Sequence, residues 1–121
     1  MITFLKLEKK GNIGNQLFQI ASTIGVALAN NHTYAFPSWT YAKFFKNSLP
    51  IVDLDERQNF IKYYEEKFEF YTIKFNDLNA TYDLEGWFQS ELYFNKEEVK
   101  KVFEFKPSLI EKVKNQFKNV L

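Results

Sequence analysis

The chain of 121 residues contains no cysteine. That excludes disulfides, a thiolate nucleophile and thiolate zinc sites. His32 is the only histidine, so a multi-histidine metal centre cannot form within the chain. Arg57 is the only arginine and the formal net charge is +1. No excess of either sign points to nucleic acid or an anionic membrane as the main partner. No apolar run approaches the ~20 residues that cross a bilayer. The apolar run at the start is short and leads into Lys9 and Lys10 rather than a small-residue cleavage site, which excludes a signal peptide. These absences set the expectation of a cytoplasmic protein without a transmembrane segment, at most peripheral to a membrane. The length suits one domain, since domains commonly run to roughly 100–150 residues.

What is present is aromatic: 14 Phe, 7 Tyr and 2 Trp. Residues 2 to 7 (ITFLKL) are apolar on both alternating sets, as in an internal strand covered on both faces. Gly11 and Gly14 then permit a tight turn. From Asn15 to Asn30 the spacing is helical, with Leu17, Ala21, Ile24 and Leu28 on one face. Gln16, Gln19, Thr23 and Asn30 form a narrow polar stripe, and most of the remaining surface is apolar, so the helix is expected to be mostly buried. Ala21, Gly25 and Ala29 are small and four apart, which admits another backbone at close range. Residues 33 to 36 (TYAF) make a second short strand, ended by Pro37. Strand, glycine turn, helix and strand compose a βα unit returning to a parallel sheet.

Residues 38 to 47 are aromatic and partly helical, and 50 to 56 form a loop with acidic residues. Residues 58 to 76 are assigned as extended, with a phase shift between Phe70 and Ile73 that a regular strand accommodates only through a bulge. Residues 82 to 88 (YDLEGWF) read as a strand with Gly86 near its end. Two helices follow. Asn95 with Glu98 and Ser108 with Glu111 carry the capping-box spacing, and Pro107 separates the two runs.

The glycine turn is not a P-loop, which ends in Gly-Lys-Ser/Thr, and its spacing is not that of a dinucleotide fingerprint. A helix N-terminus still offers unpaired N–H groups and about half a positive charge. With Asn12, Asn15 and Gln16 beside it, the turn suits a phosphate, a diphosphate or a sugar. The alternative is a plain βα turn in which Asn15 is the helix cap. Acid–base candidates are Asp53, Asp55, Glu85 and Glu91, with His32 as an outlying loop residue. Glu91 stands out, because in a parallel sheet the strand ends share an edge, and residues 89–91 and 11–16 would then lie together.

Two stretches carry a family resemblance. GNIGNQLFQIA, residues 11 to 21, resembles the N-terminal motif of the family 11 glycosyltransferases, the α-1,2-fucosyltransferases, through Gly11, Gly14, Asn15, Gln16, Phe18, Gln19 and Ala21. LEGWFQSELYF, residues 84 to 94, is similar to a second motif of that family through Gly86, Phe88, Gln89, Ser90, Glu91, Tyr93 and Phe94. Asn12 departs from the Arg or Gly usual there, Trp87 stands for Tyr and Leu92 for Lys.

The resemblance implies a Rossmann-like three-layer α/β lobe with a short, mostly parallel sheet, the N-terminal half of a GT-B-type enzyme. It implies inverting transfer of L-fucose from GDP-fucose to the 2-hydroxyl of a galactoside, without a metal or other cofactor. The partners it implies are the nucleotide-sugar donor, the galactoside acceptor and a second lobe or chain. Gly11, Asn12, Gly14, Asn15, Gln16, Gln89 and Ser90 become candidate substrate contacts, and Asn15 and Glu91 candidate catalytic groups. The family's second lobe opens with His-x-Arg-Arg-Gly-Asp, and no arginine follows Arg57 here. Residues 1–121 are therefore expected to be one lobe, with the nucleotide-sugar-binding lobe outside it. The alternative is a non-catalytic sugar- or nucleotide-binding remnant.

Overall fold

The computed structural model describes residues 1–9, 12–52, 59–66, 71–88 and 90–120, without the side chains of residues 91, 113 and 116–120. It is a mixed α/β arrangement around a small open sheet of three parallel strands. The strands are β1 (Ile2–Thr3), β2 (Phe60–Tyr64) and β3 (Thr81–Glu85), in the order β1-β3-β2. The last strand in sequence is thus the central one. Ile2 pairs with Tyr82 and Thr3 with Asp83 on one side, and Phe60 to Tyr64 pair with Thr81 to Glu85 on the other.

The strand expected over residues 2 to 7 is only two residues long. Phe4 to Lys9 leave the ladder in turns, with Leu7 N–H donating to the Phe4 carbonyl (3.2 Å) and Lys9 N–H to Lys6 (3.0 Å). Their apolar side chains serve the core rather than a strand: Phe4 and Leu7 are buried. The strand expected over 33 to 36 is reduced to two isolated parallel bridges, Ile2 with Tyr34 and Phe36 with Ile51. Within 58 to 76, residues 60–64 are the regular strand β2. The bulge was expected between Phe70 and Ile73; residues 67–70 lie outside the described residues, and residues 71–76 are in no strand.

Helix α1 (Ile13–Ala29) is the principal cover of the sheet. Its C-terminal end is fastened by Asn30, whose side-chain amide donates to the Val26 and Ile73 carbonyls (2.8 and 3.0 Å) and whose Oδ1 accepts from Phe75 N–H (2.8 Å). His32 follows at once and is buried rather than a solvated loop residue. Its Nε2 lies 3.2 Å from the Phe75 carbonyl, and its ring meets Tyr82 edge-on. Tyr82 in turn stacks on Phe75 at 4.1 Å. Side chains alternate along a strand, so Tyr82 and Leu84 give the apolar face beneath α1, while Asp83 and Glu85 point the other way.

The polar stripe of α1 faces inward: Gln16, Gln19 and Thr23 are buried, whereas Leu28 is exposed. The small positions behave as expected. A Cβ at Gly25 would stand 2.6 Å from Phe94 Cα and closer still to the Tyr93 carbonyl oxygen, so the 93–94 backbone lies directly on α1. The C-terminal elements are α2 (Lys96–Lys100), capped by Asn95 Oδ1 on Glu97 N–H (2.9 Å), and α3 (Pro107–Val120). α3 begins at Pro107, so Ser108 lies inside its first turn and is not its cap. Proline suits that first position because its missing N–H is one the helix would leave unpaired anyway.

Candidate functional site at the C-terminal edge of the sheet

All three strands run the same way, so their C-terminal ends meet at one edge, the position at which open α/β sheets hold ligands. The loops leaving that edge are tied together by carboxylates. Asp83 Oδ1 accepts from Leu5 N–H (2.9 Å), and Asp83 also pairs with Lys62 from β2. Glu85 pairs with Lys6, joining the end of β3 to the loop after β1. That pairing raises the Lys6 ammonium pKa above its ordinary value, first through the hydrogen bond to Glu85 and then through its charge. Glu65, just after β2, accepts from Trp87 N–H (3.2 Å) and Phe88 N–H (3.4 Å).

Three residues at this edge have left-handed backbone: Glu8 (φ 75°), Gly86 (φ 148°) and Phe88 (φ 47°). For the two that are not glycine the strain is about 1–3 kcal/mol each, of a kind that gathers at binding sites and is held in place by its surroundings. The Glu65 carboxylate holds the 86–88 turn. The Glu8 carboxylate, for its part, accepts from Thr40 N–H.

The glycine turn reaches α1 with a changed division of labour. Asn12, not Asn15, is the cap: its Oδ1 accepts from Asn15 N–H at 3.1 Å and its carbonyl from Gln16 N–H at 3.0 Å. Asn has the short acceptor that a cap requires and stands just ahead of the first helical residue. Gly14 is already helical and exposed. No acidic side chain occupies the first turn of α1, so the partial positive charge of its N-terminus is not neutralised from within the helix. Asn15 is half-buried. Gln16 is buried, and its Oε1 accepts from Trp39 Nε1–H at 2.9 Å. Gln16 therefore holds the aromatic segment that follows Pro37, a role the motif alone did not disclose. Gly11 lies outside the described residues.

The second motif packs along the flank of α1. Ser22 Oγ donates to the Phe88 carbonyl at 2.7 Å, Phe18 meets Phe94 edge-on at 6.1 Å, and Gly25 receives the 93–94 backbone. Ser90 Oγ accepts from Leu92 N–H (3.2 Å) and caps the 3-10 turn Glu91–Tyr93. Phe18 thus joins the two motifs directly, and Ser22 and Gly25, just past the first motif on the same helix, extend the contact. The described contacts do not join residues 12–16 to Ser90. Gln89, Asp53 and Asp55 lie outside the described residues, as does the Glu91 side chain.

Several groups at the site escaped sequence reading. Asp83 is not among the acid–base candidates of the sequence and Glu85 is; both are buried. Alternation within YDLEG, with Leu84 between two acids, was the available signal. Gln19 is fully buried, and among the described residues neither end of its amide nor the Thr3 hydroxyl has a hydrogen-bond partner. A cluster of tyrosines lies farther along: Tyr63 and Tyr71 hydroxyls are 2.8 Å apart, and Tyr93 meets the Tyr71 ring at 6.4 Å. Burial, with smaller contributions from Glu65 and Tyr71, pushes the Tyr93 phenol up to about 12. Burial and the Tyr71 hydrogen bond push Tyr63 up as well. Among the described residues no group of three His, Cys, Asp or Glu is placed to hold a metal ion, and no helix is long and apolar enough to cross a membrane. No protein-family model matches the chain, and neither a curated protein nor a solved structure matches it.

Proposed function

We propose that this chain is the N-terminal lobe of a GT-B-type family 11 fucosyltransferase, moving L-fucose from GDP-fucose to the 2-hydroxyl of a galactoside with inversion. One observation carries the reading. The helix that carries the first motif packs along the second, through Phe18 on Phe94 and, just beyond the motif, through Ser22 on Phe88 and Gly25 on the 93–94 backbone. The lobe works with a second one that holds the nucleotide, and the reaction needs no metal. The start of α1, whose partial positive charge no acidic side chain of its first turn neutralises, faces the sugar or the diphosphate with Asn12 and Asn15. Asn15 and Glu91 are the candidates for assisting proton removal from the acceptor hydroxyl.

The test is transfer of labelled fucose from GDP-fucose to lactose by the chain fused to the His-x-Arg-Arg-Gly-Asp lobe of a family 11 enzyme. The fusion is expected to transfer, and the chain alone to bind GDP-fucose weakly without turnover. Asn15→Ala in the fusion is expected to lower the rate about tenfold or more, the worth of one well-placed hydrogen bond to a charged transition state, with its unfolding midpoint unchanged. Binding without transfer by the fusion would leave a sugar-binding module. Loss of both would end the reading, and transfer by the chain alone would end the need for a second lobe.

A further inference from the structure

A cavity of about 430 Å³ lies between the aromatic segment after Pro37 and Lys106, just ahead of α3. Its size falls in the range of small-molecule sites, roughly 300–1,000 Å³. The floor is Trp39 and Phe45, buried and stacked at 5.4 Å with their planes 11° apart. Three lysines, Lys43, Lys46 and Lys106, line it, and no Asp or Glu does. The backbone brings them together. Lys43 lies in the 3-10 turn Thr40–Phe44, and Lys46 follows one residue after the Phe45–Phe105 bridge. Across that bridge Lys106 N–H donates to the Phe44 carbonyl (3.0 Å) and Lys46 N–H to the Glu104 carbonyl (2.7 Å). Among the described residues neither Lys43 nor Lys106 has a carboxylate within ion-pair distance, and Lys46 meets Glu104 only at 4.0 Å. The cavity therefore concentrates positive charge in a chain whose net charge is only +1.

We infer that this cavity binds a sugar carrying an anionic group, a phosphate or a sulfate. The ammonium groups take the anion, and the hydroxyls of Ser38 and Ser48 on the lining are within the same cavity for the sugar's own hydroxyls. The aromatic floor is fastened to α1 by the bond from Trp39 Nε1–H to Gln16. The sugar part of the inference rests on the glycosyltransferase reading and makes the acceptor an anionic glycan. The charge part stands on the lysines alone.

The experiment is titration of the isotope-labelled chain with galactose 6-phosphate, 6′-sulfated lactose, neutral lactose and inorganic phosphate, followed by amide chemical shifts. Both anionic sugars are expected to shift amides of residues 43–46 and 104–106 and to bind about tenfold tighter than lactose or inorganic phosphate. Lys43→Gln with Lys106→Gln is expected to lower their affinity about tenfold or more while leaving the far-ultraviolet spectrum unchanged. These are the magnitudes of one charge-assisted hydrogen bond. Tightest binding of sulfated lactose supports a glycan, and of galactose 6-phosphate a free sugar phosphate. Equal affinity for lactose, equal affinity for inorganic phosphate, or no effect of the lysine variant overturns the inference. A fusion that transfers fucose to lactose while these results fail leaves the fucosyltransferase reading intact. The converse leaves the anion site without it.

Discussion

Gly25 is the residue whose smallness the fold uses most directly. The Tyr93 carbonyl and Phe94 Cα occupy the space of its missing side chain. Both obstacles are backbone, so they cannot swing aside. Gly25→Ala is expected to destabilise the chain by about 1–3 kcal/mol or more, despite the better helix propensity of alanine, because overpacking outweighs the ~1 kcal/mol that alanine gains over glycine in a helix. A urea unfolding midpoint equal to or above that of the parent chain would contradict this contact. Tyr93, from the same contact, gives a pH dependence. Its phenol is pushed from 10.0 to about 12. The folded chain therefore keeps a proton that the unfolded chain releases, and the stability from keeping Tyr93 neutral is whole below pH 10. That stability drains away as pH rises through 12. The unfolding midpoint should fall across this window, and Tyr93→Phe should flatten the fall. An unchanged slope in that variant would assign the effect elsewhere, with Tyr63 the first alternative.

At the scale of elements, the two helix starts make opposite predictions. Asn12 caps α1 through a side-chain bond, so Asn12→Ala should cost about 1 kcal/mol. Ser108 lies inside α3, so Ser108→Ala should stay within about 0.5 kcal/mol. Equal losses in urea denaturation would refute this division. The same pair shows what could be read from residues alone. Helix α1 was legible because its apolar period is long and its small positions are regular. β3 was legible in place but not in length: the strand expected over 82 to 88 runs from Thr81 to Glu85, because the chain turns at Gly86 and Phe88. The cap is Asn12 rather than Asn15, one helical turn earlier: the two are chemically alike, and only the observed backbone tells which lies outside the helix. β1 was overextended because Phe4 and Leu7 are apolar for a loop that buries them, and composition does not separate a buried loop from a buried strand. The bond between Gln16 and Trp39 links positions 23 residues apart, and no local pattern encodes it. The buried acids of β3 were visible as alternation, but their partners Lys6 and Lys62 come from the loop after β1 and from β2 and required the topology.

At the scale of the molecule, one apolar cluster runs from Ile2 and Phe4 through α1 to Leu84, Phe88, Tyr93 and Val99. A core shared by both ends of the chain should unfold as a unit, so circular dichroism and tryptophan fluorescence should give coincident urea transitions. Separate midpoints would show that the 36–52 segment, which carries Trp39, melts on its own. The central place of β3 has a consequence for the order of events in synthesis. Among the described residues β1 and β2 each pair in the sheet only with β3, apart from the bridge from Ile2 to Tyr34. β1 waits through the synthesis of residues 4–80 and β2 through that of residues 65–80, and one segment of five residues then closes the sheet on both sides. That long-range closure makes the nascent chain slow to commit and exposed to wrong pairing until residue 85 has left the ribosome.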